Sequence, residues 1–411
     1  MIFSHMDKLP GAFRIVLWYS NLRIKFPKRS GDARLESFVA TFQAITYQSL
    51  VMICVGGFLM YMAVKKNFEP NLLLPMGFGT ILVNLPLSSA LDQVIEGGSV
   101  VHGALQMFFD LGIATEIFPL LILVAVGAMC DFTPLLANPK VFLFGLTAQA
   151  GIFLTMGIAY FIFDYNIYEA ASIGIIGAAD GPTSIYVSTR FAPNLLGPIS
   201  VAAYTYMALV PLIQPPVIKA LTTEKERKMR MPYAPRPVSK TKLFLFPIAI
   251  TVIGGLIAPA SVALLGFVMF GNVLRVSGVT ERLSQAAQNE MANIVTILLG
   301  FSISAAMTGE KFVNLGTLAI IGMGLIAFVL DTAGGVITAK IFNLFLPKDK
   351  KVNPMVGAAG ISAFPMSARV IQRLGQEADP GNHLLMHAVG ANVAGQIGSV
   401  LAGGILLAYL G

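Results

Sequence analysis

Residues 175–190 read IIGAADGPTSIYVSTR, an apolar run interrupted by glycine and proline around a single carboxylate, Asp180. Asp180 stands eleven residues after Glu169 and ten before Arg190, as deep as that segment allows. Depth has a cost only if lipid surrounds the segment, and the composition points to lipid. Of 411 residues, 55% are hydrophobic and 12% charged, with a mean hydropathy of +0.75, whereas soluble domains carry about 25% charged residues. A large soluble core does not explain the deficit, because a soluble chain of this length still has a wide surface to solvate. The alternation of a membrane barrel is missing. The chain therefore reads as an all-α polytopic membrane protein.

In that setting Asp180 becomes a candidate site. Ionised side chains inside a bilayer face a polar cavity and mark a pathway. Gly177, Gly181 and Pro182 disfavour a regular helix there, which frees backbone carbonyls that need another partner. With the hydroxyls of Thr183 and Ser184 they make an all-oxygen environment, the chemistry hard cations prefer. A plainer role is a cap on a half-helix starting near Pro182, and the two roles are compatible.

Working outward, apolar segments run at about 41–64, 71–87, 104–130, 140–163, 168–190 and 196–218, then at 243–257, 259–276, 291–308, 313–346, 354–374 and 384–410. Between the two sets lies KALTTEKERKMRMPYAPRPVSKTK at 219–242, with eight basic and two acidic residues and Pro232, Pro235 and Pro237. Such a basic stretch belongs on the cytoplasmic side, as does the loop from Lys348 to Lys351. Residues 1–36 mix apolar and basic side chains and read as an amphipathic helix on the cytoplasmic face; no cleavable signal pattern is visible there. The expected organisation is that segment, a first membrane repeat over 37–218, the connector 219–242 and a second repeat over 243–411.

The repeat is read from three matches in the same order. PNLLLPMGFGTILVN at 70–84 parallels PASVALLGFVMFGN at 259–272, LLILVAVGAMCDF at 120–132 parallels VTILLGFSISAAMTG at 295–309, and 175–190 parallels MVGAAGISAFPMSAR at 355–369. Many secondary transporters are built from such repeats, inverted in the membrane, with ion sites near the midplane on broken helices. The expected fold is two repeats, taken as inverted, whose broken helices or re-entrant hairpins meet at a midplane ion site. Whether 168–190 and 354–374 cross fully or turn back is left open by the sequence.

The second break offers no carboxylate but has Asn353, Ser362 and Ser367 with small residues from Gly357 to Gly360. Neutral oxygens facing one Asp suit a monovalent cation. Arg369 either pairs with an anionic substrate or snorkels to the interface; spacing alone does not choose. Tyr206 and Asn392, polar residues within apolar segments, read as ion ligands or as helix-to-helix hydrogen bonds. Tyr204, beside Tyr206, reads as packing, and Asp331 ranks below Asp180 because the first half has no matching acid.

Several classes are excluded. Cys54 and Cys130 sit in apolar surroundings and support neither a disulfide framework nor a zinc site. His383 and His387 are spaced i,i+4 but have no nearby acid or thiol to complete a metal set. The net charge of +7 comes without an aromatic-interleaved basic patch, so nucleic acid is not expected. No Walker A motif or strand–helix GxGxxG occurs, which leaves no nucleotide site.

The strings IGAADGPTSIYV, VAAYTYMALVPLIQPPVIKALTTEKERKMRM and NPMVGAAGISAFPMSARV resemble the beta subunit of the biotin-dependent sodium-pumping decarboxylases, the membrane part of oxaloacetate, methylmalonyl-CoA and glutaconyl-CoA decarboxylase complexes. The likeness runs from about residue 40 to the C-terminus and does not cover the first 36 residues. It implies a subunit that decarboxylates carboxybiotin on a carrier protein, consumes a proton and exports sodium ions across the bacterial inner membrane. It places the cation-binding aspartate at Asp180, with sodium ligands also at Asn353, Gly357, Ser362 and Asn392. Tyr206, Ser362 and Arg369 join Asp180 in the catalytic set, and Arg369 also receives carboxybiotin. The partners implied are a biotin-carrier subunit, a carboxyltransferase (alpha) subunit, a small single-span membrane subunit and further copies of this chain. A sodium/proton antiporter or a sodium-coupled organic-anion transporter is the alternative, since a repeat with an intramembrane Asp fits those as well.

Overall fold

In a bilayer every backbone polar group must be satisfied internally, and the chain meets this almost wholly with helices. The computed structural model describes residues 43–94, 100–231, 237–347 and 350–411. The N-terminal segment 1–36 and parts of both basic loops lie outside the described residues.

The first half contains α1 (Tyr47–Lys66), α2 (Pro70–Asn84), α3 (Ile117–Met129), α4 (Phe142–Ala148), α5 (Ala150–Phe161), α6 (Ile167–Gly174), α7 (Gly181–Phe191) and α8 (Leu196–Leu221). The second contains α9 (Lys240–Ile257), α10 (Val262–Val276), α11 (Ala292–Ala305), α12 (Leu315–Leu344), α13 (Met355–Ala358), α14 (Met366–Ala378) and α15 (Leu385–Leu410). Among the described residues, seven helical stretches are long and apolar enough to cross a membrane, and the pair Ala104–Ile113 and Ile117–Met129, bent by 62°, makes an eighth if counted as one span. This is a multi-pass membrane protein. Among the described residues the exception to an all-α chain is small: Gln93 pairs with Val101 and Val94 with Val100 in a two-stranded ribbon within the loop after α2.

Burial sorts the helices. α15 is the most enclosed of the seven stretches, and α9 the most exposed. The exposed face of α9 carries Leu245, Ile248, Val252, Ile253 and Leu256, apolar groups whose natural solvent is lipid. The packing partners are exchanged between the halves: α2 lies on α11 and α3 on α10, while α4 lies on α15 and α8 on α12. A π-helical turn lies within the third apolar segment of the first half, at Phe109–Ile113, and another leads into that of the second half, at Ala287–Met291. Close approach explains two of the glycines. A Cβ on Gly127 would strike the Val268 carbonyl of α10, and one on Gly271 would strike the Val124 carbonyl of α3. Small residues let membrane helices pack this tightly.

Both segments whose course the sequence leaves open are broken. The first is helical to Ala178 and resumes at Gly181, with Ala179 in the left-handed region (φ 51°). The second is helical over Met355–Ala358, irregular through Pro365 and helical again from Met366.

Candidate functional site

Pro182 at the start of α7 has no amide to lose, and Asp180 before it is the N-cap. Its carboxylate accepts from the Thr183 amide at 3.5 Å and the Thr183 hydroxyl at 2.6 Å, so capping is part of its work. The remaining contact comes from across the molecule: Ser399 of α15 donates to Asp180 Oδ2 at 3.0 Å. Asp180 is 5% exposed, and no basic side chain pairs with it among the described residues. A carboxylate this enclosed is costly when ionised unless a cation or proton accompanies it.

The second break packs directly on the first. Ser362 donates both its hydroxyl (2.8 Å) and its amide (3.1 Å) to the Ala178 carbonyl, closing the two irregular segments against each other beside Asp180. Carbonyls freed within the second break are then taken by side-chain amides from three helical regions. Gln149 donates to Gly360 O at 3.2 Å, Gln214 to Ala358 O at 2.9 Å and Asn392 to Ile361 O at 2.6 Å. Gln396 donates to Ser362 O. Asn392, Gln396 and Ser399 follow an i, i+4, i+7 pattern, so one stripe of α15 faces both breaks. The Oδ1 of Asn392 is buried without a hydrogen-bond partner, a neutral oxygen of the kind a monovalent cation takes.

Comparison with known proteins matches this frame to a family. The model of the Na+-transporting oxaloacetate decarboxylase beta subunit matches residues 48–410. The chain belongs to that family. It is 44% identical to the oxaloacetate decarboxylase beta chain of Haemophilus ducreyi, an alignment covering 92% of this chain and 99% of that one. It is 46% identical to the methylmalonyl-CoA decarboxylase subunit beta of Propionigenium modestum, over 90% and 97% of the two chains. It is 48% identical to the glutaconyl-CoA decarboxylase subunit beta of Acidaminococcus fermentans, over 90% and 95%. The chain is thus the membrane subunit of a sodium-transporting decarboxylase.

In this beta subunit the residues expected at the site are spread over two levels. Asp180, Ser362 and Asn392 gather at the paired breaks. Gly357 serves close packing: a Cβ there would strike the Gly335 carbonyl of α12. Tyr206 donates its hydroxyl to the Ile321 carbonyl and lays its ring against Gly324, tying α8 to α12. Asn353 uses its amide to hold the connector, donating to Arg227 O at 3.1 Å and Met229 O at 2.8 Å. Asn382 donates to the same two carbonyls, and Arg230 pairs with Asp379 at 2.6 Å. The connector is therefore clamped to the second half at Arg227, Met229 and Arg230. Arg369, on α14, is exposed.

Four participants escape a reading of the sequence. Ser399, Gln396, Gln149 and Gln214 are buried polar groups in apolar helices, and only the spacing of Ser399 and Gln396 from Asn392 could have singled them out. Tyr204 is a fifth. Its ring occupies the space a Cβ on Gly181 would need, and its buried hydroxyl has no hydrogen-bond partner. Asp331 is also fully buried, its carboxylate against Gly151 and Gly177. No group of three or more His, Cys, Asp or Glu suited to a metal ion occurs among the described residues.

Proposed function

We propose that this subunit decarboxylates carboxybiotin presented by a carrier protein and couples that step to export of sodium, with Asp180 holding sodium or a proton in alternation. The observation that carries the reading is the Asp180 carboxylate, enclosed without a basic partner where two backbone breaks meet. Sodium takes oxygen ligands, and Asp180 with the unpartnered Asn392 Oδ1 and the Thr183, Ser362 and Ser399 hydroxyls offers a set with one negative charge. Filled by one monovalent cation, the site is neutral, which lowers the cost of keeping it in the membrane. Carboxybiotin is an N-carboxylate, and its loss of CO2 leaves a ureido nitrogen that needs a proton. A sodium ion arriving at Asp180 displaces the proton required. Arg369, exposed on α14, receives the carboxylate of the substrate as an ion pair; Tyr206 and Ser362 join Asp180 in the transfer.

The exchanged packing of the halves and their matched π-helical turns support two repeats, 37–218 and 243–411, inverted about the 219–242 connector. The site then lies at the midplane, where the repeats' broken helices meet. The partners are a biotin-carrier subunit, a carboxyltransferase subunit and a small single-span subunit, in the inner membrane of a bacterium, with further copies of the chain in the complex. The test is sodium-dependent decarboxylation of free carboxybiotin by the reconstituted complex. Asp180→Asn is expected to abolish both sodium uptake and decarboxylation, and an active Asp180→Asn pump would sink the reading.

A further inference from the structure

Asp331 stands near the centre of α12, sixteen residues after Leu315 and thirteen before Leu344. At a rise of 1.5 Å per residue the nearer end of the helix is about 20 Å away, far beyond the reach of the side chain. Asp331 is fully buried. Two glycines make room for it: a Cβ on Gly151, in the first turn of α5, would strike Asp331 Oδ1, and one on Gly177, in the turn before Asp180, would strike Oδ2. The amides of Gly151 and Ile152 face the carboxylate, yet neither of its oxygens has a hydrogen-bond partner. One helical turn further on, a Cβ on Gly335 would strike the Gly357 carbonyl of α13. This stretch of α12 is therefore packed on both broken segments at once.

The setting is the opposite of that at Asp180, where two hydroxyls and an amide donate to the carboxylate. Donors suit a negative charge that holds a cation. At Asp331 glycine backbone closes on both oxygens, so the slot fits the carboxyl group and leaves an ion no place. A proton needs one oxygen and no extra room, and it removes the cost of burying a lone charge. Where two acids meet such different surroundings, the surroundings assign their roles. No other ionisable side chain faces the slot among the described residues. The helices α4 and α13 and the 175–178 turn contain none. Tyr160 on α5, Tyr168 on α6 and Lys219 on α8 are exposed, and Glu169 on α6 accepts from Asn194. Tyr206 and Tyr204 on α8 engage the Ile321 carbonyl and Gly181, and Lys340 on α12 itself pairs with Glu226.

We propose that Asp331 is a proton-binding site of the transport cycle, a carboxyl that carries its proton while α12 is packed on the two breaks and gives it up when that packing opens. The step is a plain ionisation. The Asp331 O–H bond breaks, the proton goes to water admitted by the opening, and the carboxylate left behind is solvated by the same water. Closing again needs a proton to return from water, because the charged group cannot re-enter the slot without a partner. Proton occupancy at Asp331 thereby gates the closure of α12 over both breaks.

The experiment is infrared spectroscopy of the reconstituted complex with sodium present, reading the carbonyl stretch of a protonated carboxyl group. The parent should show this band at neutral pH, and Asp331→Asn should lose it. Asp331→Ala, which only empties the slot, is the second variant should Asn fail to fold. In heavy water the band should move to its deuterated position slowly at rest. Once free carboxybiotin is supplied and CO2 is released, the same shift should be faster. A spectrum that neither substitution changes means that Asp331 is ionised, and overturns the proposal. A band that belongs to Asp331 but exchanges no faster during turnover marks a static acid, and overturns its place in the cycle. CO2 release is followed in the same sample, so a failure of decarboxylation is read separately from a failure of Asp331, whose band needs no turnover.

Discussion

Asp180 does two jobs with one carboxylate, and the hydrogen bonds separate them. Thr183 engages it as a helix cap, while Ser399 reaches it from α15, so the two can be perturbed independently. Ser399→Ala should raise the half-saturating sodium concentration about tenfold, equivalent to one hydrogen bond to a charged group, with little change in maximal rate; sodium titration of the decarboxylation rate checks this. A Ser399→Ala complex with unchanged sodium dependence would detach α15 from the ion site. Arg369→Ala should weaken decarboxylation more than sodium affinity, and the reverse order would count against its role in receiving substrate. That Asp180 caps a half-helix was legible from Gly181 and Pro182 after it. That Tyr204 lies against Gly181 was not, because a tyrosine in an apolar run reads as packing until its neighbour across the helix interface is known.

At the scale of elements, the second break is stable because other helices supply what its backbone lacks. Gln149, Gln214, Asn392 and Gln396 give it amide donors. Gln396→Leu should remove the side-chain donor from the Ser362 carbonyl, which keeps only the Phe364 amide at 2.6 Å, a cost of about 0.5–1.5 kcal/mol, seen as a lower unfolding midpoint in detergent; an unchanged midpoint would mean the bond contributes little. The connector is held differently, by charge at the surface. The Arg230 guanidinium and the Gly381 amide draw the partly exposed Asp379 carboxyl down to about 2. A carboxyl lowered on folding stabilises at pH above its unfolded value, about 3.9, and loses that effect as pH falls through about 2. The clamp should therefore hold across the neutral range and resist mild acid, whereas Arg230→Gln should expose the connector to protease at neutral pH. Equal proteolysis of parent and variant would show that Asn353 and Asn382 suffice.

Across the whole molecule, the halves are interlocked, each using the other's helices as packing partners. The reciprocal contacts of Gly127 with α10 and Gly271 with α3 are the tightest sign of this. Gly271→Val should push α3 and α10 apart and sharply lower the yield of folded protein in membranes, and normal yield would show that the contact relaxes cheaply. The membrane class and Asp180 in its glycine break were determined by the sequence itself. Each rests on local chemistry: apolar length, charge placement, and residues that cannot continue a helix. Only the tertiary structure decided which oxygens surround Asp180. Ser399 lies 219 positions away along the chain, Ser362 meets Ala178 across 184, and Asn353 turns its amide to the connector. In the bilayer a freed carbonyl must find a donor wherever the fold brings one, and no local pattern says which helix that will be.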